Sequence, residues 1–214
     1  MATRKEGVRV GIFGASGSGK TTHARRLIDK CGRLVIFDPK LEWAENARRW
    51  TPGAVIVRDM AAFKRELARR WVVGFKIIYA PPFGGEVAAL DALCRYLYQV
   101  QLKTKSAAIT ILIDEAQQGV PAGTSRKFPA HGALVCAVMG RSRGINMVVC
   151  SQRITTVDIN LRANLSHYCI FRLAELNDIR AAAEIVHDKE TLLKMPNYAY
   201  FYKSPAGEIK FFSK

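Results

Sequence analysis

Short apolar runs alternate with amphipathic stretches along the whole chain. Residues 8–13, 33–37, 55–57, 75–79, 108–113, 147–150 and 167–171 are rich in Val, Ile, Leu and Phe and are bounded by polar or turn residues, which predicts strands. The run at 108–113 has the continuous apolar character of a strand at the centre of a parallel sheet. Between the strands, residues 20–30, 133–143 and 175–186 read as helices. Asp59 is placed to cap a further helix, with Phe63, Leu67 and Trp71 on one face and Lys64, Arg65, Arg69 and Arg70 on the other. Pro81-Pro82-Phe83-Gly84-Gly85 breaks the chain, and a long helix follows with Leu90, Leu93, Leu97 and Val100 inward. Residues 118–132, rich in Gly, Pro and Ser, read as a long loop. Segments 198–202 and 210–212 flank Pro205-Ala206-Gly207, a hairpin signal that predicts an antiparallel extension at a sheet edge. The alternation as a whole predicts an α/β fold with a mostly parallel central sheet, helices on both faces and a C-terminal β-hairpin.

Composition narrows this picture. A length of 214 residues suits one α/β domain spanning 1–214. No apolar run approaches the roughly 18 residues of a membrane span, and residues 1–6 lack the apolar stretch of a signal peptide, so the expectation is a cytoplasmic protein. Cys31, Cys94, Cys136, Cys150 and Cys169 are odd in number, widely spaced and free of CxxC pairs, which suits small core hydrophobes better than zinc or redox chemistry. The net charge of +15 favours a polyanionic partner, nucleic acid above all.

Gly14-Ala15-Ser16-Gly17-Ser18-Gly19-Lys20-Thr21 matches the phosphate-loop pattern GxxxxGK[ST] in full, between a predicted strand and a predicted helix. Its glycines let successive backbone N–H groups curl around phosphates, and the helix N-terminus adds the positive end of a dipole. Together with Thr22 beside it, this run is the expected nucleotide-binding segment. Lys20 is placed to reach the β- and γ-phosphates of ATP, and the Thr21 hydroxyl to ligate Mg²⁺.

The apolar strand at 108–113 ends in Asp114-Glu115. A strand beside the phosphate loop brings its carboxyl end to the γ-phosphate. Asp114 is expected to hold Mg²⁺ through water, and Glu115 to orient and deprotonate the attacking water. Many P-loop kinases need no such glutamate, so the pair favours hydrolysis over transfer to a bound hydroxyl; a small-molecule kinase is the alternative of a different class. Gln152, at the end of the strand before Arg153, is placed to contact the γ-phosphate or the water.

Phosphate loop, Val-Ile-Phe-Asp-Pro-Lys at 35–40, Ile-Asp-Glu-Ala at 113–116, Gly-Arg-Ser-Arg-Gly at 140–144, Cys-Ser-Gln-Arg at 150–153 and Ile-Phe-Arg-Leu at 170–173 follow one another in the order typical of the FtsK–HerA ATPases. The chain resembles that family over about residues 8–186, and in size it is similar to the genome-packaging ATPases of membrane-containing icosahedral DNA viruses, the tectivirus type. The family pattern differs at Cys150-Ser151, where relatives often carry Ala-Thr, and at Ile154, where they carry Pro. The resemblance implies a RecA-like motor that hydrolyses Mg·ATP, works as a homo-oligomeric ring (a hexamer), moves double-stranded DNA without reading its sequence, docks on capsid vertex proteins, and acts in the host cytoplasm or on the virion. It further implies an arginine finger supplied to the neighbouring subunit by Arg141, with Arg143 as the alternative. Lys40, in the Asp38-Pro39-Lys40 turn, is expected to contact nucleotide or the adjacent subunit, or to belong to a rigid turn. Arg126 and Lys127 are the first candidates for DNA contacts, and the basic helix face at 64–70 the second. A nucleotide-driven assembly or secretion factor acting on protein remains a rival reading.

Overall fold

The computed structural model describes residues 7–104 and 107–213; the charged lead at 1–6 lies outside them. The elements in chain order are β1 (Arg9–Phe13), α1 (Lys20–Ile28), β2 (Arg33–Phe37), α2 (Glu42–Glu45), α3 (Ala47–Trp50), β3 (Val55–Val57), α4 (Met60–Arg70), β4 (Phe75–Tyr79), α5 (Glu86–Thr104), β5 (Ile109–Ile113), α6 (Ala116–Gly119), α7 (Thr124–Lys127), α8 (Gly132–Met139), a 3-10 turn (Arg141–Arg143), β6 (Ile145–Ser151), α9 (Ile159–Ala163), β7 (His167–Phe171), α10 (Leu176–Val186), α11 (Lys189–Lys194), β8 (Tyr200–Lys203) and β9 (Ile209–Phe212).

The strands form one sheet in the order β3-β4-β2-β5-β6-β1-β7-β8-β9. Every pairing from β3 to β7 is parallel, and β7–β8 and β8–β9 are antiparallel, so the expected architecture and its terminal hairpin are both present. Strand periodicity sorts the core into two layers. Leu34, Ile36, Leu112, Val148 and Cys150 face α1 and Trp43, while Val35, Phe37, Ile111, Ile113 and Val149 face α4, α5, α8 and α10. Four of the five cysteines are buried and all five are free thiols, as their apolar settings suggested. No helix of the described residues is long and apolar enough to cross a membrane.

Register positions the chemistry. Phe13 pairs with Ser151, and Ile113 with Val149. The residues that follow these strands, Gly14, Asp114 and Gln152, therefore leave the sheet at the same carboxyl edge.

The local expectations need several corrections. Segment 118–132 is not a plain loop: α6 ends in it and α7 lies within it, one turn each, too short to leave a periodic signal. The helix expected over 133–143 is α-helical only to Met139; it tightens into the 3-10 turn Arg141–Arg143, which Gly144 closes at φ 70°, after passing through Gly140. A Cβ there would lie 2.4 Å from the Cys136 carbonyl oxygen. In α5, Val100 is only half-buried; Gln101 takes the inward position, where its amide donates to the Ala107 carbonyl at 2.9 Å. The first hairpin strand starts at Tyr200, and Tyr198 precedes it in a left-handed conformation, φ 70°.

Candidate functional site

The phosphate loop connects β1 to α1 beneath the carboxyl edge of the sheet. Gly14 N–H donates to the Ser151 carbonyl and Ala15 N–H to the Arg172 carbonyl, so the loop is tied to the strands on both sides of β1. Gly14 has no space for a side chain, since a Cβ would sit 2.6 Å from that of Phe171. Gly19 adopts φ 110°, a conformation L side chains rarely reach, and turns the loop into α1 without a side-chain cap. The first-turn N–H groups of α1 thus lack a capping side chain, and the loop has the character of an anion cradle.

A cleft of about 250 Å³ opens here. Ser16, Gly17, Gly19, Lys20, Thr21 and Thr22 line it from the loop and α1; Asp114, Glu115 and Gln152 line it from the ends of β5 and β6. Gly14, Ala15 and Ser18 are not among the lining residues; the N–H groups of the first two support the loop from below. Lys20 Nζ donates to the Ala15 carbonyl at 2.9 Å. Burial pulls its pKa below the usual lysine value, partly opposed by Glu115 and Asp114.

Glu42 and Tyr198 complete the lining, and the sequence did not mark either. Glu42 arrives on a one-turn helix. Tyr198 comes from the segment ahead of the terminal hairpin, and its N–H donates to the Ser18 carbonyl. Only tertiary structure brings it to the loop.

The two carboxylates differ in state. Asp114 is 7 % exposed and accepts a hydrogen bond from the Trp43 indole at 3.0 Å. Burial first, and then the negative charge of Glu115, push its carboxyl up to about 7. Burial also acts to raise Glu115, but hydrogen bonds outweigh it and hold that carboxyl below its usual value. The donors are Lys40 Nζ at 2.5 Å and Gln152 Nε2 at 2.7 Å, both to Oε1, and Gln117 Nε2 at 2.5 Å to Oε2. Glu115 itself sits at φ 45°, ψ 54°, a left-handed conformation costly for a non-glycine residue. Gln152 therefore contacts Glu115, and Lys40, still in the turn after β2, pairs with the same group through its side chain.

The loop carrying Gln152 is fixed from behind. Ser151 Oγ donates to Gln117 Oε1, Arg153 Nε pairs with Asp178 at 2.9 Å, and Thr155 donates to Asp178 through both its N–H and its hydroxyl. Asp178, on α10, is 1 % exposed and anchors this loop; a lone acid in an amphipathic helix gave no hint of that role.

Among the described residues no group of three or more His, Cys, Asp or Glu could by itself hold a metal. That suits Mg²⁺, which binds through one or two protein oxygens and fills its other positions with phosphate and water. The Thr21 hydroxyl and the Asp114 carboxylate provide such a donor pair on one cleft, and a cation would stabilise the ionised form of Asp114 that burial opposes.

Other expected site residues lie elsewhere. Arg141 is on the turn before β6, and its carbonyl accepts from Gly7 N–H, ahead of β1. Seven strand residues separate it from the cleft, roughly 20 Å along β6. It cannot serve its own site. Arg126 and Lys127 are exposed on α7, outside the cleft. On α4 the basic face is partly neutralised: Glu66 pairs with Arg70 at 3.1 Å and lies 3.9 Å from Arg69, and Lys64 Nζ sits 5.1 Å from the Tyr96 ring centroid.

No family model matches the chain. Putative peptide import ATP-binding proteins of Brucella abortus and Brucella melitensis are 25% identical to it over 176 residues, 76% of this chain and 47% or 42% of theirs. The chain thus spans about half the length of the curated relatives it matches. Among solved structures, the genome packaging NTPase B204 from Sulfolobus turreted icosahedral virus 2, in complex with AMPPCP, is similar with a TM-score of 0.69 at 15% identity, covering 96% of this chain and 97% of that one. VirB4 of Thermoanaerobacter pseudethanolicus gives a TM-score of 0.67 at 11% identity, covering 96% and 88%. The cytoplasmic domain of the type VII secretion ATPase EccC of Thermomonospora curvata gives 0.57 at 15% identity, covering 95% of this chain and 25% of that one. The fold is that of the P-loop NTPases, and the expected likeness to ATPases of the FtsK–HerA kind is present at the level of fold.

Proposed function

We propose that the chain is an ATP-hydrolysing double-stranded DNA translocase that works as a homo-oligomeric ring, of the kind that packages viral genomes. The observation that carries the hydrolytic part is the single cleft shared by the phosphate loop, Asp114, Glu115 and Gln152. Backbone N–H groups of the loop and α1 hold the phosphates, and Lys20 exchanges its Ala15 carbonyl for a phosphate oxygen. Thr21 and Asp114 hold Mg²⁺, which when bound neutralises charge on the phosphate oxygens. Glu115 accepts the proton of the attacking water, and Gln152, hydrogen-bonded to Glu115, ties the γ-phosphate position to that base.

The ring and the DNA rest on two further features. Arg141 lies at the sheet edge opposite its own cleft, so a head-to-tail neighbour is the site it would complete. A net charge of +15 suits a polyanionic track, with exposed Arg126 and Lys127 as phosphate contacts. The fold likeness to the packaging NTPase supports this reading. The likeness to a secretion ATPase supports a second one, in which the moved polymer is protein.

Steady-state ATPase assays with and without linear duplex DNA separate the two. A DNA translocase is stimulated several-fold by duplex of any sequence, and Glu115→Gln abolishes the turnover while Mg·ATP still binds. Stimulation by an unfolded polypeptide and not by DNA would establish the second reading.

A further inference from the structure

We infer that a basic pocket beside the nucleotide cleft, built by Arg25, Arg26 and Arg49 against Trp50, binds backbone phosphate of nucleic acid. The inference rests on the reading of duplex DNA as the track, and it names a contact surface apart from Arg126 and Lys127.

The pocket has a volume of about 410 Å³. Thr22, Arg25 and Arg26 come from α1, Asp29 follows that helix, and Arg49 and Trp50 come from α3. Three guanidiniums therefore share the pocket with one carboxylate. Among the described residues none of the three makes an ion pair or a side-chain hydrogen bond. The Arg25 guanidinium lies over the Trp50 ring, 5.1 Å from its centroid, and its Nε is buried without an acceptor. Stacking on the indole fixes the plane of the guanidinium and leaves its charge uncompensated by any acid. Arg26 and Arg49 are exposed, so their side chains are free to turn toward a ligand.

Phosphate is the anion this chemistry suits, because guanidinium donors match its oxygens two at a time. A neighbouring hollow of about 440 Å³ shares Arg49 and adds Arg48, with Glu45 as its one acid. A free phosphate ion fills one hollow, whereas a chain of phosphates engages both. The net charge of +15 favours the polymer. The pocket borders the nucleotide cleft without belonging to it. Thr22 lines both, while Lys20, Asp114 and Glu115 line only the cleft. Trp50 packs edge-on against Trp43, with ring centroids 5.5 Å apart, so α3 is anchored independently of its arginines. Removing Arg26 and Arg49 therefore leaves the phosphate loop and both acids in place.

The test is binding of a fluorescein-labelled duplex of mixed sequence by the full chain, read by anisotropy over a salt series. Arg26→Ala combined with Arg49→Ala should make the slope of log K against log salt shallower by about 1 to 2. Arg26→Lys combined with Arg49→Lys should restore the slope, because the charge returns. Turnover of Mg·ATP without DNA should stay within about twofold of the unaltered protein in both pairs, which excludes misfolding as the cause. Inorganic phosphate, at equal phosphate concentration and ionic strength, should not displace the duplex; displacement would make the pocket a free-anion site and overturn the inference. An unchanged slope in the Ala pair would overturn it while leaving DNA as the track. If that pair also changed the mass of the assembly, the arginines would belong to a contact between copies. The reading of DNA as the track fails separately, if the unaltered chain binds no duplex at any salt concentration.

Discussion

The Trp43 indole N–H donates to Asp114 Oδ2 at 3.0 Å, and both side chains are buried. A four-residue helix after β2 thereby holds the carboxylate at the end of β5, the strand next to it in the sheet. The bond fixes one oxygen and orients the other toward the cleft chemistry. Trp43→Phe keeps most of the ring bulk and deletes the donor. A hydrogen bond to a charged group contributes about 1.5–3 kcal/mol. The Mg²⁺ concentration for half-maximal turnover should rise about tenfold, with metal-free nucleotide affinity unchanged. A magnesium titration of ATPase activity checks this; an unshifted midpoint would leave Trp43 as core packing alone.

Asp114 also sets a pH dependence of stability. Its carboxyl lies at about 7 in the folded chain, chiefly because it is buried and secondly because Glu115 is beside it. An acid raised in this way binds more protons folded than unfolded, so stability falls as pH rises from about 4 to about 7. The penalty above that window is roughly 4 kcal/mol. Asp114→Asn should therefore be more stable than the unaltered protein at pH 8, and close to it near pH 4. Urea unfolding of nucleotide-free protein across that range measures the difference. A parallel pair of curves would mean that Asp114 ionises normally in the fold.

Affinity for DNA should carry the signature of phosphate neutralisation. Contacts to about five phosphates imply a slope of roughly −4 to −5 in log K against log salt concentration. Unrelated duplex sequences should bind alike, because phosphate contacts carry no base information. Replacing both Arg126 and Lys127 by Ala should make the slope shallower by about 2. Fluorescence anisotropy over a salt series reads both numbers; salt-insensitive binding or preference for one short site would contradict a translocase.

Arg141 should act across a subunit boundary. Arg141→Ala leaves the phosphate loop intact, so ATP binding persists, while turnover falls by about 10³-fold if the arginine completes a neighbour's site. Rings mixed from Arg141→Ala and Glu115→Gln subunits contain some interfaces with both groups present. Those rings should recover ATPase activity that neither variant shows alone. Arg143→Ala in the same mixture tells the two arginines apart, and mixed rings that form but stay inactive would remove Arg141 from the reaction.

The parts of this site legible in the sequence are those whose chemistry is contiguous. Gly14 to Thr21 form a continuous loop, and Ile109 to Glu115 a strand with its terminal acids, so spacing and periodicity locate both. The mostly parallel sheet and its terminal antiparallel hairpin followed from strand–helix alternation and the hairpin signal. What could not be read was the set of partners that give the acids their states. Lys40 and Glu115 are 75 positions apart, Trp43 and Asp114 are 71 apart, and neither pairing leaves a local trace. Helices of one turn, such as α2 and α7, have no periodicity to detect. Tyr198 reaches the phosphate loop only because β8 folds back antiparallel beside β7.

Hydrolysis in this cleft should move the protein along duplex DNA. Displacement of a third strand from a triplex at the end of a linear duplex measures that motion directly. Displacement should require Mg·ATP, lag in proportion to duplex length, proceed regardless of sequence, and disappear in Glu115→Gln. Steady ATP hydrolysis with no displacement on any linear duplex, and no stimulation by it, would rule out translocation along DNA.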